Sequence, residues 1–534
     1  MRKAIKIVGY TVLALIIIVW GVQWWLGNKI EDIIEEKVYE ESGGRLQADV
    51  GNVSVRLIGR SVQIKDVRIT TDTARPVLSN NPVPYADIYL KKLKLRGIHF
   101  KKRDSSTMIR AKALKIDLPH LFADVNTGKK WSASDKKQNS PEGAERLAGR
   151  LELGKIDIKL GEVEGRQCQE TDTVSYVLQD FNFGMADLNV QTRTDTLFPR
   201  IACRDLQLSF AAFRNKFAQN SQLLEVDTFS LKGNEGNIAI QAIRLIPQYS
   251  EREFALKTKK HTDWTKIEVG KVVCYHFDMQ RMISDRMLQI DSVEIQGARI
   301  SSFKNRKIEQ AKRVKRLFYE SVQQFPCPLA IRRIHLDNIN VVYKELAKNG
   351  ISPGVVTFDR LKGTFYDLTN EVRPKQPYFT LKAEGKLMDQ GILRATFLLP
   401  VDSLNPHFEV EGHLGKMDML SLNRMIEPLV KIKITSGEID GLKFKMTGNS
   451  HTAQVHMLFL YRDLKIRIMK EKDGHLEVRS FLSTLANGLI ATANNPGRSG
   501  PRTVDASAER DIYRSQFNYL WRILMAGLKK SIGL

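Results

Sequence analysis

The sequence has little cysteine and none of the common catalytic motifs. Its 534 residues include four Cys, and no two of them form a Cys-x-x-Cys motif, which excludes a small disulfide-stapled fold. It contains no Gly-x-Ser-x-Gly, His-Glu-x-x-His, Gly-x-Gly-x-x-Gly or Walker phosphate-loop motif. Ten His are scattered, and His407 with His413 and His451 with His456 lack a carboxylate or thiol partner at ligand distance in the sequence, which disfavours a zinc site. We therefore predict no enzyme activity, no metal and no cofactor.

Acidic residues are outnumbered by basic ones. The chain has 83 Lys and Arg against 60 Asp and Glu, which gives a formal net charge of +23. Such an excess is typical of proteins that bind nucleic acid, an anionic membrane surface or acidic polymers, and a merely solvated basic surface is an equal alternative. The first residues of the chain decide among these partners.

Residues 7–26 are uncharged and predominantly apolar. As a helix, about 20 such residues reach about 30 Å, the thickness of a bilayer core. Basic residues precede this stretch and acidic residues follow it, so the positive-inside rule places the N-terminus in the cytoplasm. Trp20, Trp24 and Trp25 cluster at the exit end, where indole rings favour the membrane interface. We predict an uncleaved signal anchor, because the stretch is too long for a cleaved signal peptide and no A-x-A-like site follows it.

If the remaining chain is exported, it does not meet cytoplasmic nucleic acid, which is then not an expected partner. Anionic lipid headgroups are then the favoured counter-charge for the basic excess. The four Cys lie far apart in the sequence, so their spacing does not show how they would pair in an oxidising compartment.

Most of the exported chain alternates apolar and polar residues with a period of two. Val53 and Val55 alternate with polar neighbours, and Val62 and Ile64 begin a second alternating run after a turn at Gly59. Similar pairs of short segments, separated by Asp, Asn or Gly, recur through most of the chain. An alternating strand buries one face only, so the pattern predicts a mainly β fold. We expect an elongated, curved antiparallel sheet whose concave face is an apolar groove.

Three segments interrupt this β pattern. Residues 124–145 are polar and are predicted as an exposed loop. Residues 305–324 are predicted as a helix with a dense basic run, which is either a lipid-headgroup site or a solvated face. Residues 509–532 are predicted as an amphipathic helix that either lies in a membrane interface or caps the open end of the sheet. Its apolar face carries the membrane-interface candidates Phe517, Leu520, Trp521 and Leu524.

These patterns divide the chain into three regions. Residues 1–27 are the cytoplasmic stub and transmembrane anchor, residues 28–475 are the elongated β region, and residues 476–534 are a C-terminal helical region. The last region includes an apolar segment at 481–493, predicted as a short helix, and a Gly- and Pro-rich connector at 494–507.

Three blocks carry the strand pattern with particular clarity, at residues 35–70, 329–370 and 436–474. Together with the N-terminal span, these blocks resemble the AsmA-like envelope proteins of Gram-negative bacteria, and in particular their Bacteroidetes-type members. The resemblance rests on patterns of strands and covers nearly the whole chain. It implies an inner-membrane anchor, a periplasmic β-groove and an apolar interior that carries phospholipid acyl chains towards the outer membrane. This chain is shorter than the largest members of that family.

We expect a lipid-binding protein that does no covalent chemistry and that holds or moves phospholipids between the inner and outer membranes. Its partners are then phospholipid acyl chains, the inner membrane and outer-membrane or envelope proteins. An alternative is a periplasmic scaffold that assists outer-membrane protein assembly, and a third is an exported hydrolase, which needs a pocket with converging carboxylates or an activated nucleophile. The candidate groove-lining residues, for which ordinary core packing is the alternative, are Val53, Val55, Leu57, Val62, Ile64, Leu336, Ile339, Val341, Phe365 and Leu368.

Overall fold

A computed structural model of the chain describes most residues beyond the predicted anchor. The described residues are 27–40, 46–71, 85–103, 106–126, 148–169, 172–192, 200–217, 221–257, 263–308, 312–373, 375–402, 404, 406–472, 475–478, 493–497 and 499–533. The predicted span with Trp20, Trp24 and Trp25 lies outside them, as do most of the predicted loop at 124–145 and nearly all of the predicted helix at 481–493. Within the described part, no helix combines the length and the apolarity needed to cross a membrane.

The described residues form two compact units and are mainly in β-strands. Unit 1 comprises the described residues up to Ile240 together with Met279–Asp285, and unit 2 comprises Gln241–Asp278 and Arg286–Leu534. The helices are residues 27–40 (α1), Phe254–Lys257 (α2), Met279–Ser284 (α3), Phe318–Gln323 (α4), Asn423–Val430 (α5) and Gln516–Ser531 (α6), and a 3-10 turn covers Met419–Leu422.

Unit 1 is built on a sheet in which strands that follow each other in the chain mostly pair. Its strands are β1 (Leu46–Arg56), β2 (Ser61–Thr71), β3 (Tyr85–Arg96), β4 (His99–Arg103), β5 (Ser106–Asn126), β6 (Ala148–Gln169), β7 (Asp172–Thr192), β8 (Arg200–Ala202), β9 (Asp205–Phe210), β10 (Ala212–Lys216) and β11 (Gln222–Lys232). Across the sheet the order is β1, β2, β3, β5, β6 and β7, with β4 beside the first residues of β5. Strands β8, β9 and β10 lie end to end along β7, and β11 pairs with both β9 and β10.

Unit 2 contains a second run of paired strands. After β12 (Asn237–Pro247), which includes the boundary between the units, its strands are β13 (Trp264–Phe277), β14 (Leu288–Asn305), β15 (Leu329–Leu346), β16 (Gly354–Thr369), β17 (Tyr378–Leu387), β18 (Gly391–Pro400), β19 (Phe408–Leu414), β20 (Met417–Asp418), β21 (Ile432–Gly448), β22 (Thr452–Lys472), β23 (His475–Val478) and β24 (Thr503–Glu509). Strands β13 to β19 pair in chain order, followed by β21, β22 and β24. The short strands β20 and β23 pair with β21 and β22.

Many of the predicted pairs of short strands are single long strands. Asp66, Asp180, Asn338 and Asp367 have left-handed backbone conformations inside β2, β7, β15 and β16. Asp and Asn tolerate this conformation better than other non-glycine residues, and an irregular residue of this kind shifts the alternation without ending the strand. In β15 the pairing register shifts on either side of Ile339, next to Asn338. The polar residues that were expected to mark turns therefore lie at irregularities within strands.

Two neighbouring pairs run parallel, which differs from the predicted antiparallel sheet. Strand β5 pairs with β6, and β14 pairs with β15, in the parallel direction. Residues 127–147 and 306–328 separate these pairs in the chain. Parallel neighbours require a crossover connection of about a dozen or more residues, whereas a short turn suffices for antiparallel neighbours. At each of these two interruptions of the β pattern, the strand before it and the strand after it therefore run in the same direction.

The helix predicted at 305–324 is wrong over most of its length. Residues 312–317 have no regular secondary structure, and of the described residues in this range only Phe318–Gln323 is helical. The backbone N–H of Lys315 donates to the carbonyl oxygen of Ile512 at 2.9 Å. The backbone of Lys315 thus bonds to a neighbouring segment and not within a helical turn, and a dense run of like charges gains nothing from helical spacing.

The C-terminal amphipathic helix is confirmed, although it is shorter than the predicted residues 509–532. Helix α6 begins after Ser515, whose hydroxyl oxygen accepts a hydrogen bond from the backbone N–H of Asn518 at 3.4 Å. This is the usual N-cap arrangement. Part of the predicted connector at 494–507 and the start of the predicted helix instead form β24, which pairs with β22.

A cluster of fully buried side chains lies in unit 2. Helix α6 packs on β22 and β24, and its Tyr519 and Ile523 are 1% and 0% exposed. The same cluster includes Tyr319 of α4 and Met425 of α5, together with residues of β16 to β22. Much of the apolar face of this sheet is therefore covered by the chain itself.

We predict slow thiol modification at Cys203 in unit 1 and Cys274 in unit 2. Both residues are buried, and burial raises the pKa of each thiol, which lowers the reactive thiolate fraction. With a maleimide at about pH 8, the half-buried Cys327 should react before these two. The two buried thiols should react only as each unit opens in denaturant. Equal rates at all three thiols in the native protein, measured by peptide mass spectrometry, would contradict this packing.

Candidate functional site

Two rows of apolar residues cross the sheet of unit 1. Directly paired residues of neighbouring strands project from the same face of a sheet. The first row comprises Val53, Ile64, Leu93, Ile116, Ile158, Phe183, Leu208 and Leu231. The second row, two residues away along each strand, comprises Val55, Val62, Leu95, Leu114, Ile156, Met185 and Leu206. We call these two rows the apolar wall.

The apolar wall keeps part of its surface open. Ile156 is 5% exposed, whereas the other members are half-buried. Paired neighbours cover an inner-strand residue from both sides, so its remaining exposure lies above the sheet. In unit 2, by contrast, Met457 and Tyr461 of β22 are 0% exposed, and Ser531 of α6 accepts a hydrogen bond from the Tyr461 hydroxyl. The wall is thus an apolar surface that the described part of unit 1 does not fully cover.

The opposite face of the same strands is polar. The residues of this face are the neighbours of the wall residues along each strand, and one row of them comprises Ser54, Gln63, Lys94, Lys115, Asp157, Gly184, Gln207 and Lys232. Desolvation, followed by repulsion from Lys92 and Arg96, lowers the pKa of Lys94. The Lys115 ammonium lies 3.6 Å from the Asp157 carboxylate. One face of the sheet is therefore hydrated and charged, while the two wall rows on the other face are apolar.

The groove-lining candidates in unit 1 fall largely on this wall. Val53 pairs with Ile64, and Val55 pairs with Val62, so all four belong to its first two strands. Leu57 lies in the turn after β1, where it is 45% exposed, and is not part of the wall.

The wall begins close to the end of the predicted membrane span. Gly27 is the first residue of α1, and a Cβ atom placed on it would lie 2.8 Å from the carbonyl oxygen of Val53. The predicted span ends at residue 26. The first strand of the wall is therefore directly beside the point at which the chain would leave a bilayer.

The candidates in unit 2 have different surroundings. Ile339 and Leu368 are each 6% exposed, and Phe365 packs against the buried cluster. Val341 is half-buried on β15. Leu336 lines a pocket together with residues of the polar face. These five residues are not brought together on one open apolar surface.

The apolar residues of α6 face a cavity. Its volume is about 380 Å³, and it lies between the apolar face of the unit 2 sheet and helices α5 and α6. The membrane-interface candidates that line it, all half-buried, are Phe517, Leu520, Trp521 and Leu524. Helix α6 therefore covers part of the apolar face of the unit 2 sheet, and its location in a membrane interface stays a prediction.

A shallow pocket of about 1050 Å³ lies on the polar face of unit 2. It brings together His335, His413 and His456, which are far apart in the sequence. His456 Nδ1 lies 2.8 Å from Asp505 Oδ1. Within the described residues, no group of three or more His, Cys, Asp or Glu has an arrangement that could hold a metal ion.

Comparison with known proteins adds no relative. No family model matches the chain, and no curated protein matches it either. The resemblance to the AsmA-like proteins therefore remains a prediction from the sequence pattern.

Sequence reasoning did not single out the wall residues from β3 to β11. Leu114 and Ile116, like Ile156 and Ile158, were visible as alternating pairs in their segments. The missing information was the pairing register, which decides whether apolar positions on successive strands form a continuous row. The parallel β5–β6 pairing in the middle of the wall was not predictable from alternation.

Proposed function

We propose that the protein is a periplasmic lipid-binding protein of the AsmA-like kind, anchored in the inner membrane, that holds or moves phospholipids between the inner and outer membranes. In this proposal the acyl chains lie in an elongated, curved β-groove. The observation that supports it is the apolar wall, whose two rows cross up to eight paired strands and whose members, apart from the buried Ile156, are half-buried. Gly27, which follows the predicted membrane span, lies against Val53 of the wall, and this contact supports the entry of lipid at the end of the wall nearest the predicted anchor.

Desolvation supplies the binding free energy in this mechanism. Each methylene group moved from water onto an apolar surface gains about 0.8 kcal/mol. Successive strands present the same kind of side chain, so an acyl chain can move from one strand to the next with little change in free energy. The polar face stays in water and keeps the sheet soluble. No covalent step and no catalytic residue are required.

A second candidate function is a periplasmic scaffold for outer-membrane protein assembly. The charged pocket on the polar face of unit 2 favours this role, because a protein partner can bind there, and the apolar face of this unit is covered by the chain itself. In unit 1, by contrast, acyl chains are expected to contact the wall and not the polar face of the same sheet.

Photocrosslinking inside cells separates the two functions. A photoreactive residue is placed at Ile116, on the wall, and in a matched control at its neighbour Lys115, on the polar face. We expect phospholipid adducts at position 116 and none at position 115, detected by mass spectrometry of the purified full-length chain. Protein adducts at both positions, without lipid at 116, would favour the scaffold and reject lipid binding at the wall.

A further inference from the structure

The cavity of unit 2 has the size and the walls of a binding site for one hydrocarbon chain. It occupies about 380 Å³, and its lining includes Phe397, Ile434, Met446, Trp521 and Leu524. All but one of its lining residues are apolar. Small-molecule sites typically have volumes of about 300–1,000 Å³, and cavities with purely apolar walls do not retain ordered water. The chemistry of the walls therefore selects a hydrocarbon.

The exception among the lining residues is Lys529, in the last turn of α6. Its side chain is exposed, and within the described part of the chain it has no carboxylate partner. The adjacent Lys530 is oriented differently, since its Nζ donates to the carbonyl oxygen of Asp505 at 2.8 Å. The helix dipole favours a cation at either position. The helix dipole does not explain why Lys529, and not Lys530, lies at the edge of an apolar cavity.

We infer that this cavity binds one acyl chain of an anionic amphiphile. The chain lies between the sheet and helices α5 and α6, and the anionic group, a carboxylate or a phosphate, lies at Nζ of Lys529. A cation at the edge of an apolar cavity fixes the direction in which such a ligand enters, because the charged group must stay in water.

This site goes beyond the proposed function. The apolar wall is a surface along which acyl chains can move, whereas the cavity is a fixed site with the Lys529 ammonium group at one end. The wall is tested at positions of unit 1 and the cavity at positions of unit 2. Failure of either test therefore leaves the other interpretable.

The test uses the full-length chain in lipid nanodiscs. The probe is a saturated fatty acid with a diazirine at its methyl end, and peptide mass spectrometry locates the adducts after irradiation. We expect adducts on α5, α6 or strands β18 to β21. A second arm uses a phosphatidic acid with the same diazirine tail, which distinguishes a free fatty acid from a phospholipid as the preferred source of the anionic group. Absence of unit 2 adducts with both probes would overturn the inference.

Charge-reversal variants test the role of Lys529. Lys529→Glu should reduce labelling about tenfold, because it removes a charge-assisted contact with the anionic group and adds repulsion. Lys530→Glu is the matched control and should label like the wild type. Thermal melting followed by circular dichroism identifies a loss of fold, in which case Lys529→Ala replaces Lys529→Glu. Labelling of a folded Lys529 variant equal to that of Lys530→Glu would also overturn the inference.

Discussion

Replacement of Ile523 by Asp should unfold unit 2 under conditions in which the wild type is folded. Ile523 is 0% exposed in the middle of α6 and belongs to the buried cluster that joins the helix to the sheet. An unpaired carboxylate at this position would lose its hydration without gaining a partner, and the methyl groups of Ile523 would be lost as well. We expect a loss of more than about 4 kcal/mol, which is exceptional for a single substitution.

The exposed neighbour provides the control for this prediction. Arg522 lies on the solvent side of α6, so Arg522→Asp introduces the same residue into the same helix without affecting the core. Its effect should stay within about 1 kcal/mol. The measurement is the denaturant midpoint, followed by circular dichroism. If the two variants unfold at the same midpoint, α6 does not pack on the sheet as described.

Replacement of Ile158 by Glu should abolish lipid contact at the wall while leaving the fold intact. Ile158 lies in the first row, between Ile116 and Phe183, and is half-buried. The new carboxylate can stay hydrated in the absence of lipid, so its effect on stability is small. An acyl chain on the wall would have to strip that hydration, at a cost of at least about 2 kcal/mol. We expect the yield of phospholipid adducts from a photoreactive residue at 116 to fall at least about tenfold.

Lys159→Glu is the matched control, since it introduces the same residue at the adjacent, exposed position on the polar face. Adduct yield at position 116 should stay at the wild-type level in this variant. Equal losses in both variants would mean that the net charge, and not the apolar wall, governs lipid contact.

Alternation in the sequence was sufficient to predict the mainly β fold and the two faces of the strands. The same signal placed Val53, Val55, Val62 and Ile64 on one face, and the pairing of β1 with β2 brings them together. It also predicted α6, because the apolar period changes from two to about 3.6 in that segment. These features depend only on neighbours in the chain.

The parallel pairs and the division of roles between the units could not be predicted in this way. Whether a face is open or covered depends on tertiary packing, and Phe365 alternates like Phe183 although only Phe183 belongs to the open wall. The cationic run near Lys315 was predicted as a helix, but the backbone N–H of Lys315 bonds to Ile512, almost 200 residues away, and tertiary contacts of this kind override local helix propensity. Contacts of this kind leave no local pattern in the sequence.

The most direct test of the account is a measurement of the distance between the wall and lipid hydrocarbon. A nitroxide label is attached at position 183 on the wall, or at position 182 on the polar face, in a full-length chain whose four natural Cys are replaced by Ala. The chain is reconstituted with chain-deuterated phospholipid, and electron spin-echo spectroscopy detects deuterium in contact with the label. We predict strong deuterium modulation at 183 and none at 182. Modulation absent from both positions, or equal at both, would contradict a lipid-bearing wall.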